Sequence, residues 1–102
     1  MKDKELFITT ILVESKTADD NEKGESVYNA IIEEVKKDPE TNIILNFKGV
    51  ELVNTAFLNN AIGKLFDRSN FDLNKNKVRI INIKESMVEL VKETIAVARE
   101  RY

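Results

Sequence analysis

Apolar positions along the chain shift between strand and helix spacing, and each shift marks an element. Leu6 to Val13, reading Leu-Phe-Ile-Thr-Thr-Ile-Leu-Val, is rich in β-branched and aromatic residues and has strand length, which predicts a first strand. Glu14 to Gly24 is polar and charged, with Ala18 its one apolar side chain, and reads as a long surface loop. From Ser26 onward, Val27, Ile31 and Val35 recur every four residues, with Tyr28 and Ile32 on adjoining rows, which describes one wide helical face. Asp38-Pro39 ends that helix, because proline lacks the amide proton and pushes the residue before it out of helical geometry.

Ile43-Ile44-Leu45-Asn46-Phe47 shows no alternation, the pattern of a central strand covered on both sides, so Ile44 and Leu45 are both expected to be buried. A second helix follows, with Phe57/Leu58, Ala61/Ile62 and Leu65/Phe66 paired at spacing four. Gly63 inside it costs about 1 kcal/mol relative to alanine, which suggests close packing there. After the polar turn 72–77, Val78 to Ile83 reads as a third strand. Lys84-Glu85-Ser86 opens a last helix that carries Met87, Val88, Val91, Ile95 and Ala98 inward. Strand and helix alternate throughout, which implies an α/β layered domain with a small, mostly parallel sheet, spanning residues 1–102 as one unit.

Composition narrows the chemistry. The chain has 102 residues, 42% of them apolar, enough for a single core. Sixteen basic and eighteen acidic side chains leave a formal charge of -2, which disfavours a broad basic face for nucleic acid. There is no cysteine and no histidine. That removes a thiol nucleophile, a thiolate or imidazole metal site and a Ser-His-Asp hydrolase. No apolar run approaches the roughly 20 residues of a membrane span, so a cytoplasmic protein is expected. The glycines form neither a G-x-G-x-x-G nor a G-x-x-x-x-G-K phosphate cradle. Asp19-Asp20-Asn21-Glu22-Lys23-Gly24 starts like a calcium loop but has lysine at the fifth position and Ala30 at the twelfth, where a bidentate glutamate is needed.

The junction between the central strand and the second helix is the place where function can be sought. Asn54 and Thr55 are residue types that cap helices, since their side-chain oxygens accept from the free amides of the first turn, worth about 1 kcal/mol. Such a positively polarised end also suits a phosphate or a partner's carboxylate. The run Ile43 to Val50, the loop Glu51 to Thr55, Ala56-Phe57 with the helix behind it, and Ile81-Asn82 before the last helix resemble the STAS-like domains of unknown function, relatives of the STAS anti-sigma factor antagonists of bacteria. The resemblance extends from Asn42 to Ala98, and over the preceding residues by element order.

STAS antagonists carry an aspartate-serine-serine-glycine stretch at this turn, and a kinase that is itself the anti-sigma factor phosphorylates the second serine. Laid onto this chain, the stretch falls on Asn54-Thr55-Ala56-Phe57, so the phosphorylated position is Ala56, which has no hydroxyl, and Thr55 is the acceptor nearby. The STAS-like group has phenylalanine for the glycine, as at Phe57, followed by an acidic pair where this chain has Asn59-Asn60. Asn46 stands for the strand's usual aspartate. At Asn46, Asn59 and Asn60 a carboxylate has become an amide, keeping shape and hydrogen bonding but losing charge.

Each feature has a structural and a functional reading. Thr55 is a helix cap or a phosphoacceptor; Asn59 and Asn60 are a solvated first turn or a partner-facing patch; Asn46 faces a ligand crevice or bonds a loop backbone. The resemblance implies a regulatory interaction module whose partner is a protein, in the family's manner a kinase-like ATPase; lacking histidine, cysteine and a convergent acidic pair, the chain is expected to be non-catalytic, not an enzyme, without cofactor or metal, and to bind neither nucleic acid nor membrane. Its candidate surface is Asn54, Thr55, Ala56, Phe57, Asn59 and Asn60. The alternative is a small domain that binds a phosphate-bearing ligand at the same helix end.

Overall fold

A computed structural model describes residues 2–13, 15–66 and 78–101. The elements are β1 (Lys2–Phe7), α1 (Ile8–Ile11), β2 (Thr17–Ala18), α2 (Asn21–Lys37), β3 (Thr41–Asn46), β4 (Leu52–Val53), α3 (Thr55–Ala61), a 3-10 turn (Gly63–Phe66), β5 (Val78–Ile81) and α4 (Glu85–Arg101). The polar turn expected at 72–77 lies outside the described residues.

The domain is a compact α/β structure with a small parallel sheet, consistent with a STAS-like fold. Strand β3 is central, with β1 and β5 parallel on either side; β2 and β4 form a separate parallel pair. Both crossovers, β1 to β3 and β3 to β5, step across the sheet in one direction. Right-handed connections therefore bring α2 and α3 to the same side. There they pack on each other, and α4 packs on α3 and the 3-10 turn. Ile43 and Leu45 are fully buried beneath these helices, joined by Leu6, Val78 and Ile80 of the flanking strands and by Val27, Ile31, Phe57, Leu58 and Val91 of the helices.

The opposite face of the sheet differs from expectation. Ile44 is half-buried and, with Phe7 and Ile81, lies outside the core. The unbroken apolar run of β3 therefore marks one covered face and one open face, because both crossovers deposit their helices together. The first strand is also displaced. It begins at Lys2 and ends at Phe7, since an open face accepts the alternating charges of Asp3 and Glu5, while Ile8 turns fully into the core and the chain winds one helical turn, the Leu12 amide donating to the Ile8 carbonyl at 3.0 Å.

The stretch from Glu14 to Gly24 is not one loop. Ala18 is buried where β2 pairs with β4, and α2 begins at Asn21, capped by Asp20, whose Oδ1 accepts from the Lys23 amide at 2.7 Å. The second helix is likewise broken into α3 and the 3-10 turn, and the third strand ends at Ile81, with Asn82 at φ 56.

Candidate functional site

Beyond β3 the backbone reverses through Lys48 and Gly49, whose φ of 88 is a conformation that glycine adopts without strain. The Val50 amide closes the turn on the Phe47 carbonyl at 3.0 Å, and β4 then runs along β2 into Asn54. That asparagine fastens the whole junction. Its backbone amide donates to the Ala18 carbonyl (3.2 Å), its Nδ2 to the Asp19 carbonyl (2.6 Å), and its Oδ1 accepts from the Phe57 amide (2.9 Å). Asn54, not Thr55, is therefore the cap of α3. The reason is geometric: Asn54 has extended backbone while Thr55 is already the first helical residue, from which a side chain cannot fold back onto the N3 amide. Thr55 is exposed.

The other candidate residues divide by helix face. Phe57 is fully buried, so its side chain belongs to the core rather than to any surface shown to a partner. Ala56 is half-buried, and Asn59 is exposed. Asn60 is half-buried and uses both amide hydrogens, donating to the Asn21 Oδ1 at 2.8 Å and to the Ala56 carbonyl at 3.1 Å. Leu52, which sequence reasoning passed over, stands 50% exposed just before the turn.

Helix α2 braces this corner from behind. Gly24 lies so close to α3 that a Cβ there would stand 2.5 Å from the Phe57 carbonyl oxygen and 2.8 Å from the Asn60 Cβ. The close packing expected at Gly63 is found here instead, since a Cβ on Gly63 would meet nothing nearer than 3.8 Å. In the segment that resembles a calcium loop, Lys23 Nζ donates to Asp19 Oδ1 (2.9 Å), to the Thr17 carbonyl (3.1 Å) and to Thr17 Oγ1 (3.2 Å). The ammonium beside Asp19 holds its carboxyl below the ordinary carboxylate range. Asp19 is thus supplied with a cation from within the chain, and Asn21 to Gly24 are helical.

Asn46, at the carboxyl end of β3, is 4% exposed. Its Nδ2 donates to Glu5 Oε2 (2.8 Å), and its Oδ1 accepts from the Lys48 amide (2.9 Å) and from Asn82 Nδ2 (3.1 Å). It bonds a loop backbone, one of its two expected roles, and ties the ends of β1, β3 and β5 together. An aspartate here could not donate to Glu5 and would set two carboxylates side by side. The amide at 46 and the carboxylate at 5 are therefore matched to each other.

No curated protein matches the chain, and no solved structure does. One family matches residues 23–87, described as "STAS-like domain of unknown function (DUF4325)". The match runs from the first turn of α2 through β3, the Asn54 junction, α3 and β5 to the start of α4, so it includes β4, α3 and most of α2 at the corner but not β2. With this fold and well over half its length in the match, the chain belongs to the STAS-like domains of unknown function.

Proposed function

We propose that the chain is a non-catalytic, cytoplasmic regulatory module that presents the β4–α3 corner to a protein partner, a kinase-like ATPase in the manner of the STAS antagonists. The observation that carries this reading is the division of labour at Asn54 and Thr55. Asn54 takes over the structural work, which leaves the Thr55 hydroxyl exposed on a corner braced by β2 and α2. One helical turn on, the exposed Asn59 shares its face, and the half-exposed Leu52 lies in the strand that leads into the turn. A rigid patch of one apolar side chain, one hydroxyl and one amide suits recognition, since little conformational freedom is lost on binding. Thr55 is the position on this patch that a kinase could modify.

A phosphate-bearing ligand at the same corner has less in its favour. Helix α3 has only seven residues, and Asn54 Oδ1 already occupies the Phe57 amide.

Thr55→Glu and Asn59→Lys test the proposal. Glutamate in a first helical turn is compatible with the macrodipole, and residue 59 is exposed, so both variants are expected to fold normally by circular dichroism. Tagged protein recovered from its native cell should bring down an ATPase, and each variant should reduce that capture by about tenfold, as for any contact worth ~1.4 kcal/mol. Undiminished capture by both folded variants would overturn the proposal.

A further inference from the structure

The face of the sheet turned away from the helices carries a charge pattern that is complementary to itself. Side chains alternate along a strand, so Asp3, Glu5 and Phe7 of β1, Asn42, Ile44 and Asn46 of β3, and Arg79 and Ile81 of β5 share this face. The pairing register arranges them in rows across the strands. One row is Glu5, Ile44, Arg79; the next is Phe7, Asn46, Ile81. Phe7 is 40% exposed, Ile44 and Ile81 are half-buried, and all three lie outside the core. Glu5 and Arg79 are exposed, two strand spacings or about 10 Å apart, and neither joins an ion pair among the described residues.

We propose that a second copy of this chain covers this face, related to the first by a two-fold axis running along β3. Such an axis lays β1 of one copy over β5 of the other and β3 over β3. Glu5 then meets the second copy's Arg79, and Arg79 meets its Glu5. In the neighbouring row Phe7 meets Ile81 twice, and Ile44 packs on Ile44 at the axis. Apart from Asn46, which is buried and bonded within its own chain, every side chain in both rows finds an apolar partner or one of opposite charge.

The other way to stack the two faces, with the axis across the strands, would set Glu5 on Glu5 and Arg79 on Arg79. Like charges meeting at an interface are strongly disfavoured, so the rows select the first arrangement. Ile44 flanks an open groove of about 400 Å3, lined also by Asp3, Asn42, Ile43, Val78 and Arg79, which gives the opposing isoleucine room as the sheets approach. Three short strands present far less than the roughly 800 Å2 per partner of a standard interface, so the dimer is a weak one, governed by concentration.

Sedimentation equilibrium of the full chain from micromolar to millimolar protein tests this. The expected result is a monomer–dimer equilibrium that Arg79→Glu weakens by at least about tenfold and that Glu5→Arg combined with Arg79→Glu restores. Because the chain has no cysteine, Ile44→Cys provides an independent reading. A short bis-maleimide should join two such chains through residue 44, and Arg79→Glu in the same chain should prevent it. A monomer at every concentration, a dimer indifferent to Arg79→Glu, a folded charge-swapped variant that stays monomeric, or a failure of residue 44 to cross-link would each overturn the proposal.

Discussion

Two neighbouring polar residues, Asn54 and Thr55, look alike on paper and differ in what they hold. Asn54 closes three hydrogen bonds, two of them to the β2 side of the corner, whereas Thr55 points outward. Asn54→Ala should therefore cost about 2 kcal/mol, a lost cap plus an unsatisfied Asp19 carbonyl, while Thr55→Ala should stay within about 0.5 kcal/mol of the parent. Urea unfolding of the two variants checks this, and equal losses would mean that Thr55 shares the capping. The glycines invert the ordinary helix rule in the same way. Gly24→Ala drives a methyl into backbone and should destabilise by about 1–3 kcal/mol despite alanine's better propensity. A methyl at Gly63 would make only ordinary van der Waals contacts, the nearest at 3.8 Å, so Gly63→Ala should be neutral or mildly stabilising. Thermal melts of the pair would show whether the crossing of α2 and α3 is as tight as the geometry requires.

Among the elements, β3 shows how one apolar run can serve two environments. Leu45 lies beneath the helices with no exposure, so Leu45→Ala should cost about 2–5 kcal/mol by opening a cavity. Ile44 lies one residue earlier on the open face, and Ile44→Ala should cost under about 1.5 kcal/mol, since only part of its side chain leaves water on folding. Similar losses at the two positions would show that a further layer covers the sheet. The helices were legible because their apolar spacing of four is a long-range signal. Short elements were not: β2 has two residues, and its one core side chain, Ala18, is too small to register in a hydropathy pattern.

At the scale of the whole molecule, β1 is the one element, among the three that precede the family match, that the three-stranded sheet cannot spare. The match begins at residue 23, yet β1 pairs with β3 over its full length, from Lys2 opposite Thr41 to Phe7 opposite Asn46, and Ile8 is buried directly behind it. A chain starting at Asn21 would lose one edge of a three-stranded sheet and leave the amides and carbonyls on that side of β3 without partners. Such a fragment is expected to be unfolded or aggregated, read as collapsed amide dispersion in a proton–nitrogen NMR spectrum. A well-dispersed spectrum would show that the matched region folds without β1. The run of charges from Lys2 to Glu5 hid this strand; Asp3 and Glu5 are tolerated because one sheet face is open, and that openness comes from the winding of the chain.

The alternation of strand and helix, the central position of β3, the inward faces of α2, α3 and α4, and the turn at residues 54–55 all follow from local spacing, because burial of an apolar stripe is a property of the segment that carries it. Which face of the sheet stays open, which of Asn54 and Thr55 caps the helix, and why glycine stands at 24 were decided only in the tertiary structure. Each depends on where a distant segment arrives: two crossovers of the same hand on one side, the Ala18–Asp19 backbone beside Asn54, and the Phe57 carbonyl against α2. The partnership of Glu5 with Asn46, 41 residues apart, belongs with these. A carboxylate and an amide that far apart carry no mark of each other until parallel strands bring their ends together.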